Sequence, residues 1–204
     1  MDFFSTETLI EIIKIVGYLG ISCIVFAESG LLIGFFLPGD SLLFATGIVA
    51  SQGYLNIYFL IPIIFISAVL GDNFGYGFGK RFGPRVFNKE KSLFFNKENL
   101  EKAKVFYRRH GPLTIVLARF MPVIRTFVPI LAGVGKMNYK VFLFYNFLGA
   151  FLWSMSLVPA GFYLGSIVPN IDIYILPIVI GIVLFSILPS LVYIIKNHLK
   201  RIKK

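Results

Sequence analysis

The chain has 204 residues, of which 57% are hydrophobic and only 15% charged, and its mean hydropathy is +0.81. Soluble domains carry about 25% charged residues, so this composition excludes an ordinary soluble domain, and it also excludes a disordered chain, which requires low hydrophobicity. A net charge of +10 would suggest nucleic-acid binding in a soluble protein, but here the positive charge is concentrated in two segments between apolar blocks. We therefore predict a single integral membrane domain, residues 1–204, without a nucleic-acid partner.

The first half of the chain contains one interrupted apolar segment and one continuous one. Residues 9–53 predict an N-terminal helix and a first helical hairpin, interrupted at Pro38 and Gly39 because proline clashes with a continuing helix and glycine permits a turn. The short apolar stretch after Asp40 cannot cross about 30 Å of hydrocarbon as a helix. Residues 54–79 are long enough to do so and are predicted to span the membrane.

A strongly basic segment follows at residues 80–112. It contains ten lysine and arginine residues against three glutamates, and cytoplasmic loops of membrane proteins carry such an excess of positive charge. Within it, Leu100, Ala103 and Tyr107 recur at the spacing of one helix face, which predicts a short amphipathic helix. We therefore place residues 80–112 in the cytoplasm.

The second half of the chain has the same order of segments. Residues 113–135 are apolar, but two arginines lie among them and Pro122 and Pro129 interrupt any helix. A second helical hairpin is therefore predicted there. Two predicted spans and a basic cytoplasmic tail complete the chain: residues 140–168, 173–195 and 196–204.

The two basic segments determine how the hairpins enter the membrane. If both segments lie inside the cell, residues 113–135 begin and end on the cytoplasmic face and cannot span. With the N-terminus inside, the segment around Pro38 likewise begins and ends outside. The sequence thus predicts an all-α integral membrane fold of about four transmembrane helices and two opposed re-entrant hairpins.

An internal repeat relates the two hairpins. At a constant offset of 86 residues, three glycines recur: Gly47 as Gly133, Gly75 as Gly161 and Gly79 as Gly165. Paired halves with interrupted segments in corresponding places are typical of transporters built from inverted repeats. The residues expected to shape the hairpins are Pro38, Gly39, Pro122, Pro129 and Gly133.

Four ionisable residues fall inside the predicted hairpins: Glu28 and Asp40 in the first, Arg119 and Arg125 in the second. Each costs about 2.5–3.5 kcal/mol at the centre of a membrane helix, so they must pair, face water or bind a charged group. Two arginines in an apolar cleft form a forked receptor for phosphate. Acids beside them can release or take up protons as the anion leaves or arrives. We predict this phosphate site with two proton-coupling acids; purely structural salt bridges are the alternative.

Two further polar residues are secondary candidates for the same site. Asp72 lies inside a predicted span, and Asn146 can donate or accept hydrogen bonds between helices. Trp153 is expected to serve packing or to anchor a membrane interface. The two histidines lie in basic, aqueous segments and cannot form a metal site with the single cysteine, so neither a metal nor a cofactor is predicted.

Three motifs occur in order between Gly17 and Gly165. Residues 26–30 and 36–43 read FAESG and FLPGDSLL; residues 71–83 contain GD followed by Tyr76, Gly79, Lys80 and Gly83; and residues 119–133 read RFMPVIRTFVPILAG. The three motifs resemble the signatures of the DedA family of membrane proteins, also described as SNARE-associated or VTT-domain proteins. Phe162 is a departure, since the family usually has tyrosine there.

The resemblance implies a multi-pass protein of the bacterial plasma membrane that moves lipids. The implied function is a proton-linked translocase, or flippase, that returns undecaprenyl phosphate to the cytoplasmic leaflet. Arg119 and Arg125 would grip the phosphate, and Glu28 and Asp40 would be the proton-linked acids. The implied partners are the lipid phosphate, protons and membrane lipids, and a homo-oligomer is left open.

Three alternatives to a flippase stay open. One is a phospholipid scramblase. Another is a membrane polyprenyl-diphosphate phosphatase, for which Ser41 and Thr126 are the in-membrane candidates for a nucleophile; a serine at such a place more often caps a helix. The third is a structural membrane protein without a substrate.

Overall fold

The computed structural model describes residues 6–31, 39–86 and 111–168, and these residues form helices and turns with no β-strand among them. Several predicted features lie outside the described residues: Pro38, residues 87–110 with the amphipathic helix, the span 173–195 and the tail 196–204. The described helices are α1 (Thr6–Gly30), α2 (Gly39–Ser51), α3 (Ile57–Val86), α4 (Thr114–Arg119), α5 (Pro122–Arg125), α6 (Phe127–Val134) and α7 (Tyr139–Ile167). The all-α prediction is confirmed for these residues, and the four-span topology stays a prediction.

Among the described helices, two are long and apolar enough to cross a bilayer. They are Ile57–Phe82 of α3, with 26 residues, and the whole of α7, with 29 residues. The most apolar stretches of 18 residues within them have mean hydropathies of 1.9 and 1.7. A helix of 26 residues is about 39 Å long, which exceeds the hydrocarbon thickness of about 30 Å. Large side chains such as Tyr58 and Phe144 are exposed on them, as expected of helices that face lipid.

The predicted spans 54–79 and 140–168 correspond to α3 and α7, but α3 continues to Val86. The predicted span ends at Gly79, the last residue of a glycine-rich stretch. In the structure Gly79 lies inside the helix, where its missing side chain lets α3 approach the backbone of α6 at Ile130. The glycine therefore serves helix packing and does not terminate the helix.

The second interrupted segment consists of three short helices, α4, α5 and α6. Between α4 and α5, Met121 adopts an extended conformation (φ −117°, ψ 100°) directly before Pro122. The residue before a proline is disfavoured in the helical region for steric reasons, so the chain changes direction there. Pro122 itself is the first residue of α5, where its missing N–H costs nothing.

The chain forms two compact units. Unit 1 comprises Met1–Ile21, Phe36–Ile61 and Ser156–Lys204, and unit 2 comprises Ser22–Phe35 and Pro62–Met155. The helices α1, α3 and α7 therefore contribute to both units.

In unit 1, the helix α2 packs closely on the C-terminal part of α7. A Cβ atom added to Gly47 would meet the backbone of Val158 and Phe162, and one added to Gly161 would meet the carbonyl of Phe44. Small residues allow such close approach of two helix backbones inside a membrane.

In unit 2, α6 packs on the C-terminal part of α3 in the same way. A Cβ atom added to Gly133 would meet the backbone of Tyr76 and Lys80, and one added to Gly79 would meet the carbonyl of Ile130. The helices α2 and α6 thus each pack on a long helix from the other half of the sequence.

The two helix contacts correct the register of the predicted repeat. Gly47 and Gly133 are equivalent, as the offset of 86 predicts, but Gly161 corresponds to Gly79 and not to Gly75. The predicted pairing of the long helices was wrong by about one helical turn. The reason is that the sequence between the two contact glycines is four residues shorter in the second half, so no single offset aligns both helices.

Candidate functional site

Two buried ion pairs lie inside unit 2. Arg125, at the end of α5, pairs with Glu28 of α1, and Arg119, at the end of α4, pairs with Asp72 of α3. None of the four side chains is more than 7% exposed. The cluster holds two positive and two negative groups, so its formal charge is balanced, which offsets much of the cost of burying them.

The break between α4 and α5 lets both arginines line the same cavity. In one continuous helix, two residues six positions apart point about 120° away from each other. The extended Met121 separates α4 from α5, and this change of direction brings Arg119 and Arg125 to a shared cavity. Pro122 therefore positions charge as well as shaping the backbone.

Arg119 is held by a hydrogen-bond network that joins three helices. Its Nη2 group donates to the carboxylate of Asp72 and, at 2.8 Å, to Oδ1 of Asn146 on α7. The Nδ2 group of Asn146 donates in turn to the carbonyl of Val69 on α3 at 3.2 Å. Asn146 is fully buried, so its amide is fixed with the oxygen toward the arginine.

Trp153 of α7 contacts both arginines. The guanidinium carbon lies 5.1 Å from the centroid of the indole ring for Arg125 and 5.7 Å for Arg119. A cation over an indole face is attracted by about 0.5–2 kcal/mol, more when water is excluded, and Trp153 is only 1% exposed. Sequence reasoning assigned this residue to packing or to a membrane interface. The sequence offered one signal of such a role: Trp153 is the single tryptophan of an apolar chain that also carries arginines in its apolar segments.

Residues of the cluster line a small cavity. Its volume is about 10 Å³, and Arg119, Arg125, Asp72, Ser29 and Trp153 contribute to its lining. This is about the room that one water molecule needs. In the described conformation both arginines are paired with carboxylates. The cavity is too small for a lipid headgroup.

Glycines bring the acid-bearing helices together. A Cβ atom added to Gly30 of α1 would lie 2.9 Å from the Cα atom of Gly71 on α3, so the two backbones touch two residues after Glu28 and directly before Asp72. On α7, a Cβ atom added to Gly149 would lie 3.4 Å from Nε of Arg119. The lack of a side chain at Gly149 leaves the room that this guanidinium occupies.

Asp40 lies in unit 1, in the first turn of α2, where it is half-buried. The partial positive charge of a helix N-terminus stabilises an acid at that place. Glu28 and both arginines belong to unit 2, so the predicted role of Asp40 beside the arginines stays a prediction. The acid that the structure places against Arg119 is Asp72, one of the secondary candidates.

The other sequence candidates lie on these same elements. Gly39 is the buried first residue of α2, Pro129 lines the small cavity, and Gly133 makes the α6–α3 contact. Within residues 6–31, 39–86 and 111–168, no group of three or more His, Cys, Asp or Glu side chains could hold a metal ion.

Apolar helices of membrane-crossing length around a buried ionic cluster define the class of an integral membrane protein. The VTT domain family matches residues 37–163. The chain is 41% identical over 176 residues to Protein DedA of Escherichia coli (strain K12), which covers 85% of this chain and 80% of that protein. This chain belongs to the DedA family, as the three sequence motifs predict.

Two further relatives are described by name as membrane proteins. An uncharacterized membrane protein of Mycobacterium tuberculosis (strain ATCC 25618 / H37Rv) is 43% identical over 175 residues, covering 85% of this chain and 76% of that protein. The inner membrane protein YghB of Escherichia coli (strain K12) is 33% identical over 144 residues, covering 71% of this chain and 65% of that protein. No solved structure matches the chain.

Proposed function

We propose that this protein is a proton-linked translocase for a lipid phosphate, with undecaprenyl phosphate as its substrate. The observation that supports this function is the pair of buried arginines, each neutralised by its own carboxylate. Buried ion pairs are weak contributors to stability, and apolar residues of similar size often stabilise a core as well. Their presence in the apolar interior therefore favours a functional role.

The proposed mechanism is an exchange of anions at the two arginines. An arriving phosphate displaces the carboxylates of Glu28 and Asp72 from Arg125 and Arg119 and accepts forked hydrogen bonds from the guanidinium groups. A displaced carboxyl group in an apolar site favours its protonated form, so it takes up a proton. When the phosphate leaves, each acid returns to its arginine and releases that proton.

This exchange keeps the charge of the cluster balanced throughout transport. A phosphate with two negative charges would replace two carboxylates that become neutral, so the number of protons follows the charge of the lipid headgroup. Trp153 supports the step because its ring contacts both guanidinium groups and can hold them while the carboxylates are absent. In this mechanism Asp72 acts beside Glu28, and Asp40 is a further acid in unit 1.

The small cavity also implies a conformational change in this mechanism. A volume of about 10 Å³ cannot admit a phosphate group, so the helices around the cluster must separate when the lipid enters. The described conformation therefore corresponds, in this proposal, to the empty and closed state.

Transport by reconstituted protein tests the proposal. Proteoliposomes that contain fluorescent polyprenyl phosphate and, separately, fluorescent phosphatidylethanolamine are assayed with and without a pH gradient. We expect gradient-dependent movement of the polyprenyl phosphate, and at least a tenfold loss with Arg119→Lys or Arg125→Lys, because lysine offers a point charge in place of a planar fork. Full transport by both lysine variants would contradict forked phosphate binding.

The same preparation distinguishes the alternatives. Equal movement of both lipids without a gradient would favour a scramblase. Release of inorganic phosphate from a polyprenyl diphosphate would favour a phosphatase and contradict transport without hydrolysis. Normal membrane insertion without any lipid movement would favour a protein without a substrate.

A further inference from the structure

A second cavity of unit 2 shares no residue with the arginine cluster. It is an open groove of about 680 Å³, lined by Lys80 of α3, by Lys136 and Lys140 around the start of α7, and by Tyr76, Tyr139 and Met137. Ligand pockets in proteins have volumes of about 300–1,000 Å³. The groove is therefore large enough for a phospholipid headgroup and the glycerol that carries it.

Among the residues that the structure describes, no acid compensates the charge of this groove. Its three lysines are exposed, no acidic residue lines it, and none of the three pairs with an acid in the part of the chain that the structure describes. Lys136 adopts a positive φ of 52°, a conformation for which glycine or asparagine would be the less strained residue. The turn between α6 and α7 therefore holds Lys136 at the groove even though its backbone conformation is strained.

The two tyrosines form a fixed apolar wall. The hydroxyl of Tyr76 donates to the carbonyl of Met137 at 2.6 Å, and that of Tyr139 donates to Oδ1 of Asn73 at 3.1 Å. The ring of Tyr76 also stacks on Phe142, with 4.5 Å between centroids. Because both hydroxyl groups are already engaged, the lysine ammonium groups are the charged donors available to a ligand, and the rings offer apolar contact.

The groove lies at the end of the apolar part of α3 and at the start of α7. The apolar part of α3 ends at Phe82, two residues after Lys80, and α7 begins at Tyr139, beside Lys136 and Lys140. Lysines at the ends of membrane helices extend their ammonium groups to the headgroup layer, and tyrosines are enriched at the same depth. Both types of residue meet in this groove.

We propose that this groove binds the phosphate of an anionic phospholipid headgroup, at a site separate from the arginine cluster. The ligand chemistry is a phosphate with a net negative charge, held by three ammonium groups, with the glycerol region against the tyrosine rings. This binding does not depend on whether the protein transports lipid, because it involves none of the four residues of the ion pairs.

Binding of short-chain lipids to the purified full-length protein tests the site. The probes are dihexanoyl phosphatidylglycerol, dihexanoyl phosphatidylcholine with its zwitterionic headgroup, and inorganic phosphate, measured by isothermal titration calorimetry. The test variant is Lys80→Gln/Lys136→Asn/Lys140→Gln. The control variant, Lys91→Gln/Lys97→Gln/Lys102→Gln, removes the same charge from residues 87–110.

Each lysine near a membrane surface contributes about a fivefold change in affinity for anionic lipid. We expect the test variant to bind phosphatidylglycerol about 100-fold more weakly than the unchanged protein, and the control variant to bind within about threefold of it. Lys80→Gln and Lys140→Gln alone should each weaken binding about fivefold, which tests the site if the triple variant does not fold.

Four results would overturn the proposal. Unchanged affinity of the test variant for phosphatidylglycerol would exclude the groove as the binding site. Equal losses of affinity in the two triple variants would show that binding depends on the net charge of the protein alone. Inorganic phosphate that binds as tightly as phosphatidylglycerol, and is lost in the test variant, would assign the groove to free phosphate. Binding of phosphatidylcholine as tight as that of phosphatidylglycerol would contradict a requirement for net negative charge.

Discussion

At the scale of single residues, the two partners of each buried ion pair depend on each other's charge. Glu28 with Arg125, and Asp72 with Arg119, are neutral as pairs, whereas any single neutralisation leaves one buried charge without its counter-charge. Removing one partner of a buried pair costs about 3–5 kcal/mol, while replacing both by neutral groups is often tolerated. Stability and transport can therefore be separated experimentally.

Neutralising one partner at a time tests this separation. Glu28→Gln and Arg125→Gln should each lower the thermal unfolding midpoint in detergent, by the equivalent of about 3–5 kcal/mol. The double variant should regain most of that stability, because residues in direct contact are strongly coupled. It should not transport, since the proposed mechanism loses one of its two phosphate ligands. A double variant as unstable as the sum of the two single variants would contradict direct pairing.

Trp153 allows a second prediction at the same scale. Trp153→Leu removes the ring that contacts both guanidinium groups and should reduce transport about 5- to 30-fold, in line with about 1–2 kcal/mol of cation–π attraction. Trp153→Phe keeps a weaker ring and should give an intermediate rate. If the phenylalanine and leucine variants were equally slow while both were normally stable, Trp153 would act through its volume alone.

At the scale of elements, the close helix contacts are determined by single missing side chains. The α6–α3 contact places the carbonyl of Ile130 where a side chain at Gly79 would lie, and the α2–α7 contact does the same at Gly161 with Phe44. Backbone cannot move aside as a flexible side chain can. These two glycines therefore determine how closely the paired helices approach.

Alanine substitutions within α3 test the contact with a matched control. Gly79→Ala should destabilise the protein by at least about 1–3 kcal/mol, because it overpacks against backbone, and it should lower the unfolding midpoint. Gly77, two residues earlier on the same helix, has no neighbouring atom within 4 Å of an added Cβ among those that the structure describes. Gly77→Ala should be neutral or slightly stabilising. Similar effects at both positions would mean that α3 and α6 do not pack as described.

At the scale of the whole molecule, we propose an orientation in the bacterial plasma membrane in which residues 80–112 and the C-terminus are cytoplasmic. The excess of positive charge in both segments supports it.

Cysteine labelling in intact cells checks the orientation. In a Cys23→Ser background, Ser92→Cys should react with a membrane-impermeant maleimide only after the cells are opened, whereas Gln52→Cys should react in intact cells. The permeant maleimide is the control for both positions. Labelling of Ser92→Cys in intact cells would reverse the assigned orientation.

Sequence reasoning could identify the charged residues of the candidate site but not their partners. Glu28, Arg119 and Arg125 stand out because charge inside an apolar segment is costly, and Pro122 marks a break because proline restricts the residue before it. The pairing of Arg119 with Asp72 depends on the packing of helices far apart in the sequence, which no local pattern encodes. The same limit explains the register of the repeat, since only packing shows that Gly79 is the counterpart of Gly161.

The exchange of helices between the two halves has a consequence for biosynthesis. Gly47 leaves the ribosome roughly 110 residues before its contact at Val158, a delay on the order of ten seconds at about 5–20 residues per second. During that interval the small-residue face of α2 is in the translocation machinery or in lipid without its final neighbour. Unit 1 therefore cannot be completed before α7 has been synthesised. Until then the first half of the chain has to remain in the membrane without this helix contact.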